Sequence, residues 1–133
     1  MNKIVLDTNV LVSSLLANGP PAVIVDLIAE GKLRPFYNDL IISEYWHVLR
    51  RPKFNFHLFQ ISRLIDDIVK TGIAVEANIP SRIPMSDEDD RKFYDVAKAS
   101  HAFLVTGNIK HFPRDSFIVT PANFLKNYQK ADS

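Results

Sequence analysis

The sequence has no cysteine, which excludes a disulfide framework, thiolate zinc sites and cysteine nucleophiles and fits a reducing compartment, the cytoplasm. It also has no charge excess: 16 Lys+Arg against 15 Asp+Glu leave a formal +1. No overall field draws nucleic acid to such a chain, so any nucleic-acid binding has to be local. No apolar run approaches the roughly 18 residues of a membrane-crossing helix. The apolar stretch near the start is interrupted by Asp7 and Asn9, where a secretory signal needs continuity. The four histidines, His47, His57, His101 and His111, show no metal-ligand spacing such as HExxH. There is no internal repeat, domain linker or low-complexity tract. The expectation is one soluble domain over residues 1–133, with no membrane association.

What is present is an alternation of short β-branched runs and amphipathic stretches. Lys3 to Leu6 is apolar without polar alternation, the pattern of a strand buried on both faces. After the turn residues Asn18-Gly19-Pro20-Pro21, Val23, Ile24, Leu27 and Ile28 recur at helical spacing, and Gly31 ends that helix. A strand is predicted over 34–37. Next comes a helix capped by Asp39 and running to about Arg50, through Leu40, Ile41, Tyr45, Val48 and Leu49. A helix over 56–71 repeats Phe59, Leu64, Ile65 and Ile68, and 73–75 forms another strand. A proline-bearing loop from Asn78 to Ser86 precedes a helix capped by Ser86 and reaching Ala99, with Phe93, Val96, Ala97 and Ser100 on one side. Strands at 102–105 and 117–119 and a helix from about Pro121 complete the chain. This order predicts a three-layer α/β/α sandwich around a mostly parallel sheet, with ligands at the carboxyl ends of the strands.

Several carboxylates fall where apolar faces should lie, and a charged side chain is rarely buried unless it is paired or binds a metal. Asp7 directly follows the strand Ile4-Val5-Leu6 at its carboxyl end, with Asn9 two residues on; the alternative is an Asx turn or a helix cap. Glu44 stands four residues after Leu40 and four before Val48, along the apolar face; the alternative is a surface pair with Arg50 or Arg51. In Ser86-Asp87-Glu88-Asp89-Asp90, acids complement a helix N-terminus. Helix complementation explains Asp90 less well, because it stands three residues before Phe93 and seven before Ala97. Asp87 can reach the same site from the helix entrance. Converging carboxylates repel by roughly 4 kcal/mol per pair at about 4 Å and an effective dielectric near 20. They therefore call for a cation, and hard oxygen donors suit Mg²⁺ or Mn²⁺. Such an ion activates water and stabilises charge on a phosphodiester under attack. The chemistry expected is phosphodiester hydrolysis.

The order Asp7-Thr8-Asn9-Val10-Leu11-Val12, Ser43-Glu44-Tyr45, Asp87-Glu88-Asp89-Asp90 leading to Ala97, and Thr106-Gly107-Asn108 resembles the PIN-domain nucleases over almost the whole chain. Within them it is most similar to the branch of toxin components of bacterial toxin-antitoxin pairs. The resemblance implies a metal-dependent ribonuclease with Asp7, Glu44 and Asp90 as metal ligands and Asp87 as an accessory acid. Asn9 and Thr106 would then orient the metal water or the substrate, and a cognate antitoxin would be the partner. Asn108 departs from the family pattern, where the turn often carries aspartate. One negative charge fewer implies one firmly bound metal.

Basic residues after these motifs, Lys110, His111 and Arg114 and also Arg50, Arg51 and Lys53, are candidate phosphate contacts for RNA. Phe54, Phe56 and Phe59 form either a partner surface, for a second copy or an antitoxin helix, or the packing of a helical hairpin. Two other functions compete. Asp7 after the first strand also fits the nucleophile of an aspartyl-phosphate phosphotransferase; Asn9 stands where those enzymes need a second aspartate, and there is no good candidate for the lysine they need after a later strand. Alternatively, Asn108 marks a site that binds RNA or protein without cleaving it.

Overall fold

A computed structural model describes residues 2–76 and 80–132, with the side chains of 130–132 excepted. Along the chain run β1 (Lys3–Leu6), α1 (Thr8–Leu16), α2 (Pro20–Ala29), β2 (Arg34–Tyr37), α3 (Asp39–Leu49), α4 (Leu58–Thr71), β3 (Ile73–Ala74), α5 (Arg91–Ser100), β4 (Phe103–Val105), β5 (Ile118–Val119) and α6 (Pro121–Asp132). Single 3₁₀ turns lie at Pro52–Phe54, Glu88–Asp90 and Ile109–His111. The strands form one sheet in the order β3-β2-β1-β4-β5, and every pairing is parallel. With helices on both faces, the result is the expected α/β/α sandwich.

The centre of the sheet explains why β1 lacks polar alternation. It pairs with β2 through Ile4 opposite Pro35 and with β4 through Ile4, Val5 and Leu6 opposite Phe103, Leu104 and Val105, so both of its faces are covered and Ile4 and Val5 are fully buried. α5 packs over β1, β2 and β4, and α4 lies against β2 and α2. Gly72, where α4 turns into β3, has no room for a side chain: a Cβ there would collide with the carbonyl oxygens of Pro35 and Ile68. That close approach seats α4 on β2.

Several local expectations are corrected. Thr8–Leu16 is a helix that the sequence pattern did not suggest, with Val10, Leu11 and Val12 buried in a row rather than at helical spacing. Asn38, not Asp39, caps α3: its Oδ1 accepts the Ile41 N–H at 2.9 Å. The Asp87 side chain, not Ser86, caps the turn before α5, accepting the Asp89 N–H at 3.0 Å. In both cases the residue of extended backbone just before the first helical turn holds the cap.

The buried stripe of α3 is Ile41, Tyr45 and Leu49, and Leu40 is 61% exposed. On α4 it is Ile61, Leu64, Ile65 and Ile68, which leaves Phe59 73% exposed on the far side. Phe54 and Phe56 stack on one another at 5.4 Å and pack against the core, whereas Phe59 does not join them. The expected loop from Asn78 to Ser86 lies partly outside the described residues; from Pro80 to Ser86 the chain is neither helix nor strand. Among the described residues no helix is long and apolar enough to cross a membrane.

Candidate functional site at the carboxyl edge

In a parallel sheet of this order the neighbours of β1 are reached by chain running in opposite directions, and a crevice opens where β1 and β4 end side by side. Asp7 leaves the end of β1 and Thr106 the end of β4. The backbone ladder continues one step past the strands, with the Asp7 N–H donating to Val105 O at 3.0 Å and the Thr106 N–H to Val119 O at 2.9 Å. Both side chains are buried, Asp7 at 6% exposure and Thr106 at 0%. The Thr106 hydroxyl donates to Asp7 Oδ2 at 2.7 Å and accepts the Asn108 N–H at 3.0 Å. The turn Thr106-Gly107-Asn108 thereby fixes the hydroxyl, and the hydroxyl fixes the carboxylate. Asn9 is exposed at the start of α1 and acts on Asp7 through its backbone N–H.

The electrostatics of Asp7 follow from this placement. Burial raises its pKa, the Thr106 hydroxyl and the backbone N–H groups of Asn9 and Thr8 lower it, the nearby Glu44 charge raises it, and the net shift is upward. Asp90 ends the 3₁₀ turn before α5 and is half-buried. Its pKa is pushed up to about 6, by burial first and then by the charges of Asp7 and Asp87, with His111 pulling the other way and Glu44 adding to the rise. The structure therefore brings Asp7, Glu44 and Asp87 within electrostatic reach of Asp90. It also places His111 beside them, although histidine spacing gave no reason to include it.

Glu44 is sheltered by α5 rather than by the core. Neither arginine pairs with it; Lys92 of α5 does, with Nζ 2.7 Å from Glu44 Oε1. The other carboxylate oxygen, Oε2, accepts from the buried Thr8 hydroxyl. Next to it on α3, the buried Tyr45 hydroxyl donates to Leu6 O at 2.6 Å, tying the helix to the end of β1. Burial, and then the Asp7 and Glu44 charges, hold that phenol well above its usual range. Lys92 escaped the sequence patterns. Its one signal was a position four residues before the buried Val96, at the margin of the apolar stripe of α5.

Glu44 and Lys92 also border an open groove of about 920 Å³ between α3 and α5, lined further by His47 and Arg51. Of the basic residues expected near phosphates, Arg51 reaches this groove, while Arg50 bonds back to Trp46 O at 3.3 Å and Lys53 lies over the Phe54 ring.

Among the described residues no three His, Asp or Glu side chains converge tightly enough to enclose an ion between them. Magnesium, however, binds through one or two carboxylates and keeps several waters. Asp7 and Asp90 are hard oxygen donors whose proton affinities are raised by burial first and then by neighbouring carboxylates, Glu44 for Asp7 and chiefly Asp7 for Asp90, and that fits a site short of positive charge.

A PIN domain family profile matches residues 3–110. An uncharacterized protein of Methanocaldococcus jannaschii is 34% identical over 109 residues, which are 80% of this chain and 70% of that protein. PIN domains are in general nucleases that act on nucleic acid and typically use divalent metals. With the match running through β1, the acidic edge and the Thr106-Gly107-Asn108 turn, the chain belongs to the PIN domain family.

Proposed function

We propose that the chain is a single-domain, metal-dependent endoribonuclease using Mg²⁺ or Mn²⁺, with its active site at the carboxyl edge of β1 and β4. The observation that carries this is Asp7: a carboxylate at 6% exposure, anchored by Thr106, with the negative charges of Asp90 and Glu44 acting on it or drawn up by it. A protein keeps such a costly arrangement where a cation is to be held.

In this proposal Asp7 and Asp90 hold the divalent ion, which supplies water activation and charge stabilisation at the phosphodiester. Asp87 stands at the entrance as an accessory acid, and Glu44 completes the acidic edge. Thr106 orients Asp7 through its hydroxyl, Asn108 holds Thr106 through its backbone N–H, and Asn9 flanks Asp7 at the start of α1. RNA is led in along the groove between α3 and α5, where Arg51 and His47 meet its phosphates. The similarity to toxin components supports a place as the ribonuclease of a toxin-antitoxin pair. Growth arrest on induction, relieved by Asp7→Asn, is the expected sign of that role.

The test is cleavage of a mixed RNA pool with Mn²⁺ or Mg²⁺ by the native chain, Asp7→Asn and Asp90→Asn, on preparations shown to be equally folded. Cleavage by the native chain alone, abolished by EDTA, is the expected result. RNA bound but left intact at every Mn²⁺ concentration would make the chain a binding module and overturn the proposal.

A further inference from the structure

We infer that Lys92 is a resident cation of the acidic edge: its ammonium group takes Glu44 out of the metal's ligand set and stands in for a second metal ion. The inference rests on the metal-site proposal for Asp7 and Asp90 and departs from the role that family resemblance gives Glu44.

Both oxygens of the Glu44 carboxylate are already engaged. Oε1 lies 2.7 Å from Lys92 Nζ, and Oε2 accepts from the Thr8 hydroxyl. Thr8 is buried and follows Asp7 directly in the chain. Glu44 is thus braced by the residue next to Asp7, and among the described residues Asp7, unlike Glu44, has no ion-pair partner. Lys92 is itself well held. Its side chain is 14% exposed, it also donates to Asp89 O, and its ammonium lies 5.2 Å from the centre of the Phe93 ring. A part-buried carboxylate with a charge-assisted partner at this distance gives up that partner only at a desolvation cost, because the sheltered ammonium would lose its counter-charge.

Counting charges gives the same answer. With Lys92 neutralising Glu44, Asp7 and Asp90 remain as ligands and Asp87 as an accessory charge beside Asp90, enough for one Mg²⁺ with its waters and a phosphate. Glu44 is then a positioning residue: with Lys92 it fixes the wall of the groove beside the metal.

The experiment follows carboxyl carbons and lysine ammonium groups by NMR during titration of the full chain with Mg²⁺, with calorimetry of Mn²⁺ uptake in parallel. The Asp7 and Asp90 carboxyl signals are expected to move together while those of Glu44 and the Lys92 ammonium stay in place, with one ion bound per chain. Lys92→Met, which frees Glu44, is expected to admit a second Mn²⁺ or to tighten the first at least about tenfold. The double variant Glu44→Gln/Lys92→Met restores the charge balance and returns uptake to that of the native chain; it also checks that loss of the pair does not simply unfold the protein. Movement of the Glu44 signal together with those of the two aspartates, or two ions bound by the native chain, would overturn the inference and leave the ribonuclease proposal intact. One ion bound as described with no RNA cleaved would do the reverse. No ion bound by any variant would overturn both.

Discussion

Asp90 and Glu88 belong to one acidic run and one 3₁₀ turn, yet they meet opposite surroundings. Glu88 faces solvent and holds Arg91 through two contacts, Arg91 Nε to Oε2 at 2.8 Å and Nη2 to Oε1 at 2.7 Å, and that guanidinium lowers its pKa. Asp90 turns inward toward Asp7, and its pKa rises to about 6. Both are acids at the entrance of α5 and both complement its dipole, so their place along the helix does not separate them. What separates them is the charge each one faces: an arginine for Glu88, and for Asp90 three other carboxylates eased by one histidine.

The contrast is broken most severely at the inward side. Asp7→Asn keeps an oxygen to accept the Thr106 hydroxyl and removes a buried charge. Cleavage is expected to fall by about a thousandfold, on the order of 4 kcal/mol of lost stabilisation, while the melting temperature in EDTA stays equal or rises. A variant that lost activity by unfolding would show the opposite melting behaviour. Thr106→Val removes the donor to Asp7 and the acceptor for Asn108 N–H. A loss of roughly 10- to 100-fold in metal affinity is expected from calorimetry, and an unchanged affinity would mean that Asp7 needs no such anchor.

The pH dependence sharpens the comparison further. The folded protein binds a proton at Asp90 near pH 6, whereas the unfolded chain does so near 3.8. The folded state therefore holds more protons between those values, and in EDTA its stability rises as the pH falls from about 7 through about 6 toward 4. Thermal melts across that window should show the rise, diminished in Asp90→Asn. The groups acting on Asp90 are Asp7, Asp87, His111 and Glu44, so Asp7→Asn reduces the same slope in part. Glu88→Gln is expected to have the smallest effect: the same melting temperature and the same cleavage, since exposed ion pairs contribute little. A measurable loss of cleavage there would erase the distinction between rim and interior.

Local order along the chain was legible. The bounds of β1 and β2, the alternation of strands and helices, and the helices that became α2 to α5 follow from periodicity and turn residues, because those signals are carried by neighbours in sequence. Asp7 could be singled out for the same reason: an acid that ends an unbroken apolar strand sits at a strand end whatever the rest of the chain does. Where the pattern misled, the cause was also local. Leu40 and Phe59 are apolar at nearly the right spacing, but a helix buries one stripe, and the stripes chosen were those of Ile41 and Ile61. The caps moved by one residue for a similar reason, since Asn38 and Asp87 stand where the backbone is still extended.

By itself, then, the sequence determined an α/β chain with an acid at the end of its first strand, three further candidate acids, Glu44, Asp87 and Asp90, and a polar turn after a later strand. Only the tertiary structure decided which charges meet. That Thr106 grips Asp7 across 99 positions of chain, that Lys92 rather than an arginine answers Glu44, and that His111 acts on Asp90 depend on β4 lying beside β1 and α5 beside α3. Coulombic and hydrogen-bond energies are set by distance in space and by exclusion of water, and neither quantity exists until the sheet has closed.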